Sequence, residues 1–160
     1  AAGAQPVLCV TGHRAEEVAA ALQGSPVQIV HNPDYASAEM LTSYQAGIRA
    51  LTPARFLGSL LALADQPHIP VAIIRQVVEQ ARQTPEQIVI PSHAMRRGHP
   101  IYLPAPLWGD LLALSAQESL RDLLQRHNAR IVHVEVDSDA IRRDMDEWGE
   151  YEALRKAFER

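Results

Sequence analysis

The chain has 160 residues, 47% hydrophobic and 21% charged, the balance of one globular domain with a core of its own. It contains no apolar run of about 18 residues that would span a membrane, and its composition excludes a collagen-like fibre or a disordered tail. Nineteen acidic against fifteen basic side chains leave a net charge of −4, which disfavours nucleic acid held through a general phosphate field. The lone cysteine, Cys9, has no partner for an internal disulfide, and no charged-then-apolar leader opens the chain, so a cytoplasmic setting is expected.

Val7 to Thr11 is apolar and β-branched and ends at Gly12, which predicts a buried strand entering a turn. From Ala15 to Leu22 the period becomes helical: Val18, Ala19 and Leu22 share a face, Glu16 and Glu17 suit the first turn, and Gly24 closes the element. Val27 to His31 is a second strand, broken at Asn32-Pro33-Asp34-Tyr35 because proline cannot continue a ladder. A helix is expected from about Glu39 to Leu51. Leu60 to Ala64 is short and uniformly apolar and runs into Asp65-Gln66-Pro67, which predicts a central parallel strand ending in a functional loop. Pro70 opens a helix to about Gln83, Gln87 to Ile90 is a strand, and Arg96 to Pro100 is a polar loop before Ile101-Tyr102-Leu103. Helical stretches follow at 107–114 and 117–127, then a strand from Ile131 to Val136. An amphipathic terminal helix begins at Trp148 and carries Tyr151, Leu154, Lys156 and Phe158. The alternation predicts an α/β fold over residues 1–160, a mostly parallel sheet with helices on both faces and no linker or repeat to divide it.

In an open parallel sheet, ligands collect beyond the carboxyl ends of the strands. The residues to inspect are therefore Thr11-Gly12-His13, Asn32-Pro33-Asp34-Tyr35, Asp65-Gln66-Pro67 and, near the end, Asp144-Met145-Asp146. A carboxylate at the tip of a buried strand is costly to desolvate unless it meets a cation, so Asp65 is either a metal ligand or a cap on the turn before the Pro70 helix. Asp144 and Asp146 share a face in extended backbone, or else serve only as caps for the Trp148 helix. Magnesium takes one or two protein carboxylates with phosphate oxygens and water, which matches one aspartate from each place. Arg96-Arg97-Gly98-His99 offers two guanidinium forks and an imidazole for a phosphate or another anion, although a solvated basic loop reads the same way. The seven histidines include no pair at zinc spacing, Ser43 and Cys9 have no triad-like neighbour in sequence, and no glycine-rich phosphate loop is present.

Taken together, these segments resemble the MobA-like nucleotidyltransferases, in particular the molybdenum cofactor cytidylyltransferase branch. The likeness is collinear: Val10-Thr11-Gly12-His13 for a strand end, Asn32-Pro33-Asp34-Tyr35 with Met40, Ser43 and Ala46-Gly47 for the base-side loop and helix, and Ala64-Asp65-Gln66-Pro67 for the metal-binding aspartate. Arg97-Gly98-His99-Pro100 resembles the substrate-side loop, and Arg143-Asp144-Met145-Asp146 stands where the family has Asp-Ile-Asp-Thr-Pro-Glu-Asp. The resemblance implies a three-layer, Rossmann-like fold of the nucleotide-diphospho-sugar transferase type. It also implies transfer of a nucleotidyl group from CTP or GTP to a phosphorylated acceptor such as molybdopterin, with release of pyrophosphate. Asp65 and Asp146 would be the catalytic, magnesium-holding pair, and Thr11, Gly12, His13, Asn32, Pro33, Ser43, Gln66, Arg96, Arg97, Gly98 and His99 would contact substrates. No nucleic acid or membrane partner is implied.

Departures from the family pattern accompany the match. The family's Leu-Ala-Ala-Gly-x-Ser-x-Arg-Met-Gly loop and its lysine have no counterpart: Ala1-Ala2-Gly3 looks like the end of the first helix, and Lys156 is the sole lysine. One strand-plus-helix unit, roughly 30 residues, is thus expected to be missing with the first strand, and a chain without that loop is expected to bind triphosphate poorly. Ala38 stands where many relatives have glycine, and Glu147-Trp148-Gly149 replaces Thr-Pro-Glu, which favours Asp146 among the late acids. Two other readings stay open: a catalytically silent binding or regulatory domain, and a fragment completed by another chain, for instance in a homo-oligomer.

Overall fold

Strands β1 (Val7–Thr11) and β2 (Val27–His31) lie side by side in parallel, with Val7 opposite Val27 and Thr11 opposite His31. Helix α1 (Ala15–Ala21) connects them. The computed structural model describes residues 3–37 and 40–158, so Ala1, Ala2, Ala38, Glu39, Glu159 and Arg160 lie outside the described residues. The remaining elements are α2 (Met40–Arg49), β3 (Gly58–Leu61), α3 (Val71–Gln83), β4 (Ile88–His93), β5 (Arg96–Arg97), β6 (Ile101–Pro104), α4 (Trp108–Leu112), α5 (Leu120–Arg126), β7 (Ile131–Glu135) and α6 (Trp148–Phe158). Five of these strands make a second sheet in the order β3-β6-β4-β5, with β7 also paired to β4.

The fold is mixed α/β, and the expectation of a mostly parallel, Rossmann-like sheet needs correcting. Strand β6 runs antiparallel to both β3 and β4, and β5 turns back on β4; in this sheet only β4 and β7 are parallel. The cause is connection length. A parallel return needs a crossover of about a dozen residues or more, whereas only residues 94–100, which include the short β5, separate β4 from β6. The fully buried run Ile101–Pro104 is that returning strand. Strand β3, expected at the centre of a parallel sheet, pairs only with β6 and lies at an edge among the described residues.

Helices do cover both faces of the five-stranded sheet. The alternation of β4 sends Ile88 and Ile90 into one core with Leu103, Leu111 and Leu123, and Val89 into another with Val77, Ala81 and Tyr102. Helix α3 presents Ile73, Val77 and Ala81 at spacings of four, a stripe along one face. Helix α2 bridges the two sheets: Leu41 and Ile48 enter the larger core, while Gly47 lies against Val10 of β1. Between those core residues sits Gln45, whose Nε2 donates to the carbonyls of Leu111 and Leu114, both at 3.1 Å, and so satisfies the carboxyl end of α4. No helix among the described residues is long and apolar enough to cross a membrane.

The β4–β5 hairpin turns through two residues, Ala94 and Met95, with φ of 48° and 66°. Positive φ at both central positions marks a type I′ turn, which matches the twist of the flanking strands but is costly for side chains with a Cβ. Met95 is also 94% exposed, so nothing packs to offset that cost. Met95→Gly is therefore expected to raise stability by about 0.5–1 kcal/mol, and Met95→Val to lower it, as read from denaturant midpoints at unchanged slope.

Candidate active site

Ile90 of β4, the β5–β6 connection, α2, α5 and residues 141–144 border an open cavity of about 890 Å³. Two backbone hydrogen bonds assemble it. The amide of His99 donates to the Ile141 carbonyl at 2.9 Å, and the amide of Met145 donates to the Asp65 carbonyl at 2.9 Å. Gly98 makes the first approach possible, since a Cβ there would lie 2.2 Å from the Ile141 carbonyl oxygen and 2.6 Å from its side chain. The second bond carries the late acidic segment over the turn that follows β3.

Within this frame the predicted residues separate into two groups. Gln66, Arg97, Gly98, His99 and Asp144 line the cavity. Gln66 is 5% exposed, and its Nε2 donates to Asp144 Oδ1 at 2.7 Å, while its Oε1 is buried without a partner among the described residues. That orientation is dictated by charge, because an ionised carboxylate only accepts hydrogen bonds. Asp65 is not the desolvated carboxylate expected from the apolar run: β3 ends at Leu61 and Asp65 sits on an exposed turn four residues on. It remains close enough to act on the cavity, because its charge is felt by both Tyr44 and His99. Asp144, rather than Asp146, is the late aspartate at the cavity; Asp146 is exposed and outside its lining. Arg96 also falls outside, since neighbouring residues on a strand point to opposite faces.

Thr11, Gly12, His13, Asn32, Pro33 and Ser43 form a separate group at the carboxyl ends of β1 and β2. Asn32 organises it: Oδ1 accepts from the Asp34 amide, and Nδ2 donates to Thr42 Oγ1 and Ser43 Oγ, all at 3.1 Å. The buried amide is thus engaged in shaping the loop. Thr11 is buried, and its carbonyl accepts from the Asn32 amide at 2.8 Å. Gly12 admits Tyr35, whose Cβ would lie 2.4 Å from a Cβ at this position, and the Tyr35 ring in turn faces His13. None of these six lines the cavity, although α2 links the groups: its Thr42 and Ser43 meet Asn32, and its Met40, Leu41 and Tyr44 line the cavity wall.

The electrostatics follow from burial. Tyr44 is pushed up to about 12, first by burial and then by the Asp65 charge, so it stays a neutral phenol. Burial lowers His99 below its ordinary value, against the opposing pull of Asp144 and Asp65. His99 is therefore neutral near pH 7, a hydrogen-bonding group and not the cation that its basic loop implied. Sequence reasoning missed the wall formed by Arg121, Gln125 and Asn128 of α5 and the turn after it, which share the lining with Arg97 and Arg142. The i, i+4, i+7 spacing of the first three was legible, but a polar stripe at that period also describes any solvated helix face.

A mixed-sheet α/β domain with such a cavity has the architecture of nucleotidyltransferase structures. The chain belongs to the MobA-like NTP transferase domain family, whose profile matches residues 1–131. Among solved structures it is similar to Rv0371c from Mycobacterium tuberculosis H37Rv, 24% identical with a TM-score of 0.78, over 97% of this chain and 77% of that one. The manganese complex of the same Rv0371c is matched at 25% identity and a TM-score of 0.73, over 97% and 80% of the two chains. A nucleotidyl transferase from Methanothermobacter thermautotroptrophicus, Mth528, is 26% identical with a TM-score of 0.75, over 98% and 74%. No curated protein matches the sequence.

Three outcomes follow from this geometry. Gly98→Ala forces a Cβ onto the Ile141 backbone and is expected to cost about 1–3 kcal/mol, measured by chemical denaturation. His99 has a folded pKa below its ordinary 6.5, so its contribution is complete above pH 6.5 and is lost as the pH falls from there through the folded value. Asp144→Asn removes one of the charges that favour the imidazolium, so His99 is expected to titrate at still lower pH, followed by its ring resonances in NMR; an upward shift would contradict the arrangement.

Proposed function

We propose that this chain is a nucleotidyltransferase domain that moves a nucleotidyl group from CTP or GTP to a phosphorylated small-molecule acceptor such as molybdopterin, releasing pyrophosphate. The observation that carries this reading is the 2.7 Å bond from Gln66 to Asp144, which joins the Asp65-Gln66-Pro67 turn to the late acidic segment at the rim of one cavity. Asp144 lines that cavity, and Asp65, exposed and outside the lining, adjoins it through its neighbour Gln66.

In the transfer, an oxygen of the acceptor phosphate attacks the α-phosphorus of the triphosphate. The bond from that phosphorus to the bridging oxygen of the β-phosphate breaks, and its electron pair leaves with pyrophosphate. The protein forms no covalent bond, so its work is positioning and charge compensation. Gln66 fixes the Asp144 carboxylate, Arg97 orients an anionic oxygen, and neutral His99 donates or accepts a hydrogen bond without competing for negative charge. Thr11, Gly12, His13, Asn32, Pro33 and Ser43 form the nucleotide side, with Asn32 holding the loop in shape.

The donor set suits a hard divalent cation: no cluster of three or more His, Cys, Asp or Glu side chains exists among the described residues, and magnesium needs only one or two carboxylates beside phosphate oxygens. Asp65 and Asp144 would hold it, with Asp146 next in line, and when bound it supplies the charge that offsets the phosphates and the departing pyrophosphate. The manganese complex of Rv0371c is consistent with a divalent ion in this family.

Pyrophosphate release against magnesium concentration tests the assignment. Asp65→Asn is expected to reduce the rate by roughly 100-fold or more while leaving the melting temperature within a few degrees, because the amide conserves volume and Asp65 is exposed. Asp144→Asn is expected to follow it closely and Asp146→Asn to be mild. An Asp65→Asn protein with wild-type rate and metal response would reduce Asp65 to a turn cap and favour a binding domain.

A further inference from the structure

We propose that the α5 wall of the cavity, with Arg121 in the same lining as Arg97 and Arg142, is the acceptor-specificity element and selects a phosphate monoester carrying an apolar body. This deepens the nucleotidyltransferase reading and rests on it for the word acceptor. Three guanidiniums from three different parts of the chain line one cavity: Arg97 from β5, Arg121 from α5 and Arg142 from the turn at 139–142. None of the three is in an ion pair among the described residues. In a chain of net charge −4, three guanidiniums without ion pairs among the described residues, in a lining whose carboxylates are Glu118 and Asp144, suit a local anion site and not a general basic field.

The neighbours of these arginines support that reading. Arg97 Nη2 donates to Asn128 Oδ1 at 3.2 Å, which steadies the fork while leaving its charge unmatched. Glu118, a carboxylate in the same lining, is paired with Arg126, outside the cavity, and also accepts from Ser115, so its charge does not answer the three arginines. Leu41, Leu120, Leu124 and Ile141 supply apolar wall between the polar groups, enough for a carbon body and more than inorganic phosphate requires. The buried, unpartnered Oε1 of Gln66 in the same lining is an acceptor that a ligand hydroxyl or N–H would satisfy.

Calorimetric titration with phenyl phosphate, without nucleotide or metal, tests the wall apart from the transfer reaction. The wild-type chain is expected to bind phenyl phosphate several-fold more tightly than inorganic phosphate. Arg121→Gln and Arg142→Gln are each expected to weaken binding about tenfold or more, while Arg75→Gln, on α3 away from the cavity, leaves it unchanged. Magnesium CTP added to the complex is expected to leave phenyl phosphate bound. Equal affinities in wild type and both cavity variants, no binding by wild type, an equal loss in Arg75→Gln, or displacement by CTP would each overturn the proposal. Loss of pyrophosphate release with intact phenyl phosphate binding would instead count against the nucleotidyltransferase reading alone.

Discussion

The contact between Gly98-His99 and Ile141 sets the geometry on which the rest of the site depends. The segment after β7 has no strand or long helix to hold it; it is secured where the His99 amide reaches the Ile141 carbonyl and where Met145 reaches back to Asp65. Ile141 is fully buried in a small cluster with Ile69, Ile73 and Val136, so the tie is anchored in core and not in solvent. A side chain larger than hydrogen at residue 98 would push this segment away, and with it Arg142, Asp144 and the partner of Gln66. One glycine thus couples the short hairpin β4–β5 to the acidic rim.

That coupling places opposite charges around a single cavity without pairing them to each other. Asp144 is engaged by a neutral amide and not by an arginine, and the three cavity guanidiniums are left without ion pairs among the described residues. Salt bridges between such groups would stabilise the empty protein and have to be broken for a ligand; neutral partners such as Gln66 and Asn128 orient the charges and leave them available. His99, in the same lining, is held below its ordinary pKa by burial and so adds no full charge to either set near pH 7. The arrangement suits chemistry in which phosphate oxygens carry the negative charge and the protein supplies position and field.

Helix α2 gives the two ligand-facing groups a common support. Its Leu41 and Ile48 are set in the larger core, its Gln45 satisfies carbonyls at the end of α4, and its Thr42 and Ser43 hold Asn32. A displacement of this helix would therefore be felt at the strand-end loops and at the cavity wall together.

The local elements are largely legible in the amino-acid order, because the periods of hydrophobic residues report which faces are buried. Hydrophobic patterning places β1 at its observed ends, and α3 and α5 within a few residues of theirs. Of the candidate residues that the strand ends single out, Gln66, Arg97, Gly98 and His99 lie on the cavity. Sheet direction is not legible: an all-apolar run such as Ile101–Pro104 reads the same whether the strand runs with or against its neighbours, and the short β4–β6 connection that decides it, residues 94–100, reads only as a polar loop. The choice between Asp144 and Asp146, the exposure of Asp65 and the role of Arg121 likewise depend on where chain segments far apart in sequence come to rest. Sequence by itself determined which residues want to be buried and which must stay polar. Tertiary structure alone decided which polar groups share one space, because that depends on contacts such as Gly98 to Ile141, between residues 43 positions apart, for which local periodicity carries no signal.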